Sequence, residues 1–244
     1  MSAIIPHIKN QLLAALVNDQ YQHLLPHLER VNLSLGDNIY LAGGNIENVY
    51  FPEDSVVSLL STLENGATTE VGLVGREGMV GLTVFLGGAL TPEEAVVQLA
   101  GSAMKMKASV LREELRVGSH LQLLLLRYTK SFLALVTQSV ACSQHHSLEQ
   151  RFARWLLMMH DYSNSDALKL THEMIAGMIG TRRAGVTMAA LALKDRKLID
   201  TSRGQVTILD RSGLEAVACE CYRIIRKEFA NLHASQESTN PFAN

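Results

Sequence analysis

The sequence lacks the features that mark membrane-spanning and secreted proteins. It has no run of about 18 apolar residues, and its N-terminal segment has no basic region followed by a long apolar stretch. Three cysteines in 244 residues are an odd and small number, which argues against a disulfide framework. We therefore expect a cytoplasmic protein, with no membrane partner and with reduced thiols.

Common catalytic motifs are also missing, since the chain has no G-x-S-x-G, Walker or metalloprotease pattern. Cys142, His145 and His146 could supply metal ligands in principle. However, no second Cys or His pair lies nearby in the sequence, and Cys219 and Cys221 are predicted on different faces of one helix. We therefore predict no enzymatic activity, no metal and no cofactor. A metal-binding or enzymatic signalling protein centred on Cys142, His145 and His146 is the alternative.

The charged residues are unevenly distributed along a chain whose net charge is only -2. Residues 1–150 carry 9 Lys and Arg against 14 Asp and Glu, whereas residues 151–211 carry 10 against 6. A local excess of positive charge in an acidic chain suggests that this segment binds a polyanion, although ordinary local variation would give the same pattern.

The hydrophobic pattern changes once along the chain. From about Val31 to Met106, short apolar runs alternate with Gly, Asn, Asp and Pro turns, which predicts an antiparallel barrel or sandwich. From about Ala108 the period becomes helical, which predicts one helix of about 35 residues. Its apolar stripe, Leu121 to Cys142, is expected to pack against the same helix of a second copy. Alternatively, a break at Gly118 and Ser119 would leave a short helix and a long one.

A helix-turn-helix follows. Ser147 and Gln150 form a capping-box pattern that predicts a hinge and a new helix. Residues 170–199, LTHEMIAGMIGTRRAGVTMAALALKDRKLI, read as two helices crossing at a small residue, Ala176, with a turn at Gly180. The next segment, LIDTSRGQVTILD, alternates like a hairpin with SRG at its tip. The unit is therefore predicted to be a winged helix-turn-helix.

In such a unit the start of the second helix contacts base edges, while the first helix and the wing contact phosphates. Arginine pairs bidentately with guanine, which gives about 1–3 kcal/mol of discrimination. Two arginines at a helix N-terminus oppose the helix dipole, so an external anion such as double-stranded DNA is favoured over simple solvation. The candidate DNA-binding residues are Thr171, His172, Thr181, Arg182, Arg183, Thr187 and Arg203.

The motifs GREGMVGL, HHSLEQRFARWLLM, RRAGVTMAALAL and CECY resemble those of the cyclic-AMP receptor / fumarate-nitrate-reduction (Crp-Fnr) family of bacterial transcription regulators. The resemblance implies an α+β fold. Residues 1–107 would form a cyclic-nucleotide-binding-like β jelly roll, residues 108–146 a dimerisation helix, and residues 147–244 a winged helix-turn-helix with a C-terminal helix. It also implies a homodimer on a palindromic promoter site, with RNA polymerase as a candidate partner.

By position in the family pattern, Arg183 matches the base-reading arginine. Arg182 takes the usual place of a small polar residue, Ala184 stands where many members have glutamate, and Met188 where some have a basic residue. The operator sequence therefore cannot be carried over from the best-known members. The N-terminal cysteine cluster that holds an iron-sulfur centre in oxygen-sensing members is absent.

The family's nucleotide pocket is degenerate in this sequence. Members that bind cyclic nucleotides use a Gly-Glu pair for the ribose and an arginine for the phosphate, whereas this chain has Leu82 after Gly81 and glutamates near the arginine position. No Lys or Arg lies between Arg76 and Lys105. A carboxylate repels a phosphate, so neither cyclic AMP nor cyclic GMP is expected to bind, and the effector is left unspecified. The residues of this degenerate pocket are Gly81, Leu82, Glu93, Glu94, Tyr128 and Thr129.

Overall fold

The computed structural model describes residues 8–163 and 165–234. It contains two antiparallel sheets followed by helices and a small third sheet, which confirms the predicted α+β class. The N-terminal part comprises α1 (Gln11–Ala14), α2 (Asn18–Leu24), β1 (Glu29–Leu33), β2 (Asn38–Tyr40), β3 (Asn48–Pro52), β4 (Val56–Thr62), β5 (Thr68–Val74), α3 (Leu82–Phe85), β6 (Glu94–Leu99) and β7 (Gly101–Lys107).

The two N-terminal sheets form a jelly-roll-like sandwich with strand orders β1-β7-β3 and β2-β6-β4-β5. Turn residues separate the strands as the sequence predicted. Strand β4 differs from its neighbours because its first five residues are all buried. Val57 and Leu59 belong to the sandwich core, whereas Val56 and Leu60 belong to a second core shared with the C-terminal helices. Both faces of β4 are therefore covered, which accounts for its apolar sequence.

The predicted single helix from Ala108 is divided in two, as the alternative prediction allowed. It consists of α4 (Ala108–Glu114) and α5 (His120–His145). Gly118 adopts φ 78° in the intervening turn, a conformation that favours glycine. Ser119 then caps α5 by accepting a hydrogen bond from the backbone N–H of Gln122. No helix in the described parts of the chain is long and apolar enough to cross a membrane.

The prediction that the stripe from Leu121 to Cys142 needs a partner is wrong for these residues. Leu121, Leu125, Tyr128 and Leu135 are buried within the chain, against the sandwich and the C-terminal helices. A different face of α5 stays exposed, and it carries Leu126, Leu133 and Val140.

The remaining elements form a winged helix-turn-helix and a long C-terminal helix. They are α6 (Leu148–Tyr162), β8 (Ala167–Leu168), α7 (His172–Met178), α8 (Arg183–Asp195), β9 (Ile199–Ser202), β10 (Gln205–Ile208), α9 (Arg211–Val217) and α10 (Cys221–Ala234). The capping box at Ser147 and Gln150 is present as predicted. Helix α10 packs along α5, where Lys130 of α5 forms a 2.8 Å ion pair with Glu228.

The C-terminal thiols are arranged differently from the prediction. Cys219 lies in the connection between α9 and α10 and Cys221 is the first residue of α10, so the two are not on opposite faces of one helix. Both are buried and contact Cys142 in a cluster of their own. His145 is exposed and lies outside the cluster, whereas His146 belongs to it.

Candidate nucleic-acid interface

The turn between α7 and α8 has the geometry that the sequence predicted. Thr171 caps α7 by accepting a hydrogen bond from the N–H of Met174. Ala176 and Val186 are buried where the two helices cross. Gly180 adopts φ 61° in the turn, and a Cβ there would lie 3.3 Å from Thr69 of the sandwich. The turn therefore fixes where α8 begins, and it also lies against β5.

Helix α8 begins at the two arginines. Arg182 is its N-cap and Arg183 its first residue, and both side chains are exposed. Neither forms a hydrogen bond or an ion pair with any other residue in the described parts of the chain. The N-cap also supplies no side-chain hydrogen bond. Two cations thus lie at the positive end of a helix dipole without a compensating carboxylate, which is an arrangement that an external anion stabilises.

The outward face of α8 continues beyond the arginines. Ala184 is exposed, and Met188 and Leu191 are 68% and 48% exposed. Their spacing of four and three residues places them on one side of the helix. Met188 is a departure from the family pattern. Its exposure marks an apolar surface of the kind that contacts a thymine methyl group.

His172 and Thr187 join the two helices. The Thr187 hydroxyl lies 3.0 Å from His172 Nδ1 and donates to the Arg183 carbonyl over 3.1 Å. The predicted residues His172, Thr187 and Arg183 are therefore brought together at one end of the unit. Thr181 lies in the turn, where its N–H donates to the Ala176 carbonyl.

Arg203 lies at the tip of the wing, as predicted. Strands β9 and β10 pair antiparallel, with Ser202 opposite Gln205, and Gly204 closes the hairpin with φ 74°. Arg203 is exposed and is without an ion-pair partner within residues 8–163 and 165–234. The wing therefore offers a separate positive charge, as a phosphate contact requires.

A buried carboxyl group connects the sandwich to the helix-turn-helix. Glu70 of β5 accepts hydrogen bonds from Trp155 Nε1 of α6 over 3.0 Å and from the Ser58 hydroxyl over 2.5 Å. Burial raises the pKa of Glu70 to about 7, although these two hydrogen bonds and the charge of Arg154 act in the opposite direction. Glu70 is partly exposed as a whole residue, but its carboxyl group is enclosed where α6 packs on the sandwich.

A second carboxyl group makes a similar contact. Glu77 lies in the turn after β5 and is buried. Its Oε1 accepts a 2.6 Å hydrogen bond from the hydroxyl of Tyr162 at the end of α6. Burial raises the pKa values of both groups. Neither hydrogen bond is predicted from local sequence patterns, because each one joins residues 85 positions apart.

Tyr128 and Thr129, the two residues of the degenerate nucleotide pocket that lie on α5, both have hydrogen-bond partners within the chain. Tyr128 is buried, and its hydroxyl donates to the Met79 carbonyl over 3.2 Å. The Thr129 hydroxyl donates to the carbonyl of Leu125, one turn earlier in α5.

The charged side chains close to Gly81, which precedes α3, are carboxylates. Gly81 has φ 95° and Leu82 is the first residue of α3. Glu94 accepts a 3.3 Å hydrogen bond from the hydroxyl of Thr62. Burial, together with the charge of Glu93, raises the pKa of Tyr40. Tyr40 itself hydrogen-bonds to the Gly81 backbone. These residues offer acidic groups, not a cation for a phosphate.

The chain is similar to known transcription regulators in sequence and in fold. Residues 150–217 match the family described as the Crp-like helix-turn-helix domain. The global nitrogen regulator of Nostoc sp. is 26% identical over 187 residues, which cover 70% of this chain and 80% of that protein.

Two solved structures show the same fold. FixK2 from Bradyrhizobium japonicum superposes with a TM-score of 0.67 at 17% identity, covering 79% of this chain and 98% of that one. A CRP/FNR-family transcriptional regulator from Thermus thermophilus superposes with a TM-score of 0.63 at 22% identity, covering 78% and 98%. Neither these structures nor the sequence relative favours the alternative of an enzymatic centre at Cys142. The matched domain coincides with the segment whose turn, cap and recognition helix are described above, so residues 150–217 are a Crp-like helix-turn-helix domain, and most of the chain shares the fold of CRP/FNR-family structures.

Proposed function

We propose that this regulator recognises a specific double-stranded DNA sequence through the start of α8. The observation that carries the proposal is the pair of exposed arginines at the N-terminus of that helix, with no partner among the described residues. Arg183 would read a guanine, Arg182 and Thr181 would support it, and Met188 would contact a neighbouring base. Thr171, His172 and Thr187 lie beside this surface, and Arg203 would bind phosphate.

The test replaces each arginine separately and measures binding by fluorescence anisotropy at constant salt. The DNA duplexes come from selection of bound sequences out of a random pool. Arg183→Ala is expected to weaken binding to the selected site by about 1–3 kcal/mol, or about 5- to 150-fold, and to relax preference at one position of each half-site. Arg203→Ala should weaken binding to all sequences nearly equally and reduce the salt dependence.

Arg196→Ala is the matched control, because Arg196 ends the same helix and pairs with Glu149 over 2.9 Å on an exposed surface. It removes the same charge without touching the start of α8. Equal losses for the variants of Arg183 and Arg196, or unchanged selectivity after Arg183→Ala, would contradict the proposal.

We also propose that the chain binds DNA as a homodimer through α5. Leu126, Leu133 and Val140 repeat every seven residues on its free face and are 44%, 60% and 61% exposed. A heptad spacing of this kind keeps one seam of a helix facing a parallel copy. A two-fold axis along α5 would present two α8 helices to a palindromic site.

The dimer is tested by sedimentation at micromolar protein concentration. Leu133→Asp would place a carboxylate opposite its own copy in the seam, and it is expected to give the monomer mass and to lose binding to the full palindrome. Leu63→Asp, on an exposed turn of the sandwich with 61% exposure, is the matched control and should remain dimeric. A wild-type chain that sediments as a monomer would refute this part of the proposal.

Finally, we propose that three segments of the chain have different functions. Residues 1–107 form the sensing part, residues 108–146 join the protomers, and residues 147–244 bind DNA. The sensing part takes neither cyclic AMP nor cyclic GMP, since Tyr128 is buried and hydrogen-bonded to the protein and the groups near Gly81 are acidic.

A further inference from the structure

The thiols that the transcriptional role leaves unused lie together at the end of α5. Cys142 of α5 and Cys219 in the α9–α10 connection have their Sγ atoms 3.5 Å apart. Cys221 Sγ is likewise 3.5 Å from Nδ1 of His146, the C-cap residue of α5. One atom from each of these four residues lies within 4.8 Å of every other. All three cysteines are buried and reduced.

We propose that Cys142, His146, Cys219 and Cys221 bind one Zn²⁺ ion as a closed tetrahedral site. Zinc prefers thiolate and imidazole ligands, and structural zinc sites commonly combine three cysteines with one histidine. With bonds of about 2.3 Å to sulfur, the sulfur atoms of such a site lie about 3.8 Å apart, close to the 3.5 Å between the Sγ atoms of Cys142 and Cys219. Four protein ligands leave no open position, so the ion would be structural.

The groups around the four residues are those that orient metal ligands. His146 Nε2 lies 3.2 Å from a carboxylate oxygen of Glu220. If Nε2–H donates to that oxygen, Nδ1 carries the lone pair and faces Cys221, as a ligand must. Gln138 Nε2 donates to Cys221 Sγ over 3.1 Å. A hydrogen bond to a sulfur atom stabilises its thiolate form.

Charge favours the same conclusion. Arg154 is 9% exposed, forms no salt bridge with the described residues, and leaves its Nε without a hydrogen-bond partner among them. Its Nη1 donates to the Ser139 hydroxyl over 3.3 Å and to Met158 Sδ over 3.8 Å, but neither acceptor carries a charge, and a buried cation without a counter-charge is costly. On binding, three thiols lose their protons to solvent while Zn²⁺ enters, which leaves a site with a net charge of −1 close to this guanidinium.

The site would join two distant parts of the chain. Cys142 and His146 end the helix that we propose as the dimer contact, whereas Cys219 and Cys221 follow the helix-turn-helix domain. One ion would therefore close a loop of 77 residues and hold that domain against the end of α5. The metal site does not depend on DNA binding, and its test reads the metal directly.

The experiment uses the full chain, purified under reducing and anaerobic conditions, stripped with a chelator and then dialysed against Zn²⁺ or Co²⁺. We expect one ion per protomer by elemental analysis. The Co²⁺ form should show the visible bands of tetrahedral cobalt and a thiolate charge-transfer band. Zinc should protect all three thiols from a thiol reagent in the wild-type chain, and a chelator should reverse this protection.

Two variants and one control locate the site. Cys219→Ser should lose the thiolate spectrum, and Glu220→Gln, which leaves all four ligands in place, should weaken binding by about 10- to 100-fold. His145→Ala changes the exposed neighbour of His146 and should retain one ion per protomer. Folding of each variant is checked by circular dichroism, and the wild-type measurements stand without them.

Three results would overturn the proposal. The first is a reduced wild-type chain that retains no stoichiometric metal and leaves three reactive thiols. The second is a mass lower by two hydrogens in the same preparation, which would show a disulfide between Cys142 and Cys219. The third is an equal loss of metal in His145→Ala and Cys219→Ser.

Discussion

The carboxyl group of Glu70 should make the folded state less stable as the pH rises through neutrality. Its pKa is about 7 in the folded chain and 4.5 when unfolded. Between these values the folded state keeps a proton that the unfolded state releases. The stabilisation is therefore complete below about pH 4.5, declines as the pH rises, and is lost above about pH 7.

The two pKa values set the magnitude. The difference between the folded and unfolded pKa values corresponds to about 3 kcal/mol of folding stability, of which about 2.5 kcal/mol should be lost between pH 5 and pH 8. Glu70→Gln removes the titration and keeps the contacts, because an amide oxygen can accept from Trp155 while its nitrogen donates to Ser58. The variant should therefore become more stable than the wild type as the pH rises.

Two measurements test this expectation. Urea unfolding of both proteins from pH 5 to pH 8.5, at one protein concentration, gives the difference in unfolding free energy at each pH. Trp155 is the single tryptophan of the chain and hydrogen-bonds to Glu70 directly. Its fluorescence in the native wild type should therefore titrate with a midpoint near pH 7, and this transition should be absent in Glu70→Gln.

Glu64→Gln is the control, because Glu64 is an exposed carboxylate in the turn that joins β4 to β5. Its stability should stay within about 0.5 kcal/mol of the wild type at every pH. A constant difference between wild type and Glu70→Gln across the range would refute the reasoning, as would a wild type that gains stability over the variant at high pH.

Three further outcomes are expected. Millimolar cyclic AMP or cyclic GMP should change neither Tm nor DNA affinity. A ligand that binds the folded chain and is present at 100 times its Kd would raise the free energy of unfolding by about 2.7 kcal/mol. A saturable heat signal in a calorimetric titration would contradict this prediction. Tyr162→Phe should lower the unfolding free energy by about 1–3 kcal/mol by leaving Glu77 Oε1 without its hydroxyl donor, and a neutral result in urea unfolding would refute it. Gly180→Ala should lower the free energy of unfolding by about 1 kcal/mol or more, because φ is 61° and Thr69 lies 3.3 Å from the new Cβ. Gly177→Ala is the comparison, because its new Cβ would lie 3.4 Å from Thr68 and its φ is not positive.

Local signals predicted much of the fold. Strand boundaries followed turn residues, and the caps at Thr171 and Ser147 depend on hydrogen bonds only three residues away. The break in the long helix was also readable, since Gly118 costs helix stability and Ser119 is a favourable cap. The start of α8 was located for the same reason, because its turn and N-cap lie within a few residues of Gly180.

Contacts between residues far apart in the sequence could not be predicted from local patterns. A helical stripe shows which residues are apolar but not which of several partners covers each side. The apolar stripe from Leu121 to Cys142 gives no sign that α10, about 90 residues later, packs on α5. Likewise, the prediction that Cys219 and Cys221 share one helix is wrong because the helix begins at Cys221 and not before Cys219.

The contact between the sandwich and α6 left one trace that periodicity could have revealed. Residues 56–60, VVSLL, are apolar or small at both odd and even positions, which is expected only of a strand covered on both faces. A sandwich covers one face, so a second layer had to pack on the other. The structure places α6 there, with Trp155 and Val56 in one core. Since Ser58 of that same outer face hydrogen-bonds to Glu70, the polar residue within the apolar run marks where the buried carboxyl group meets the helix-turn-helix domain.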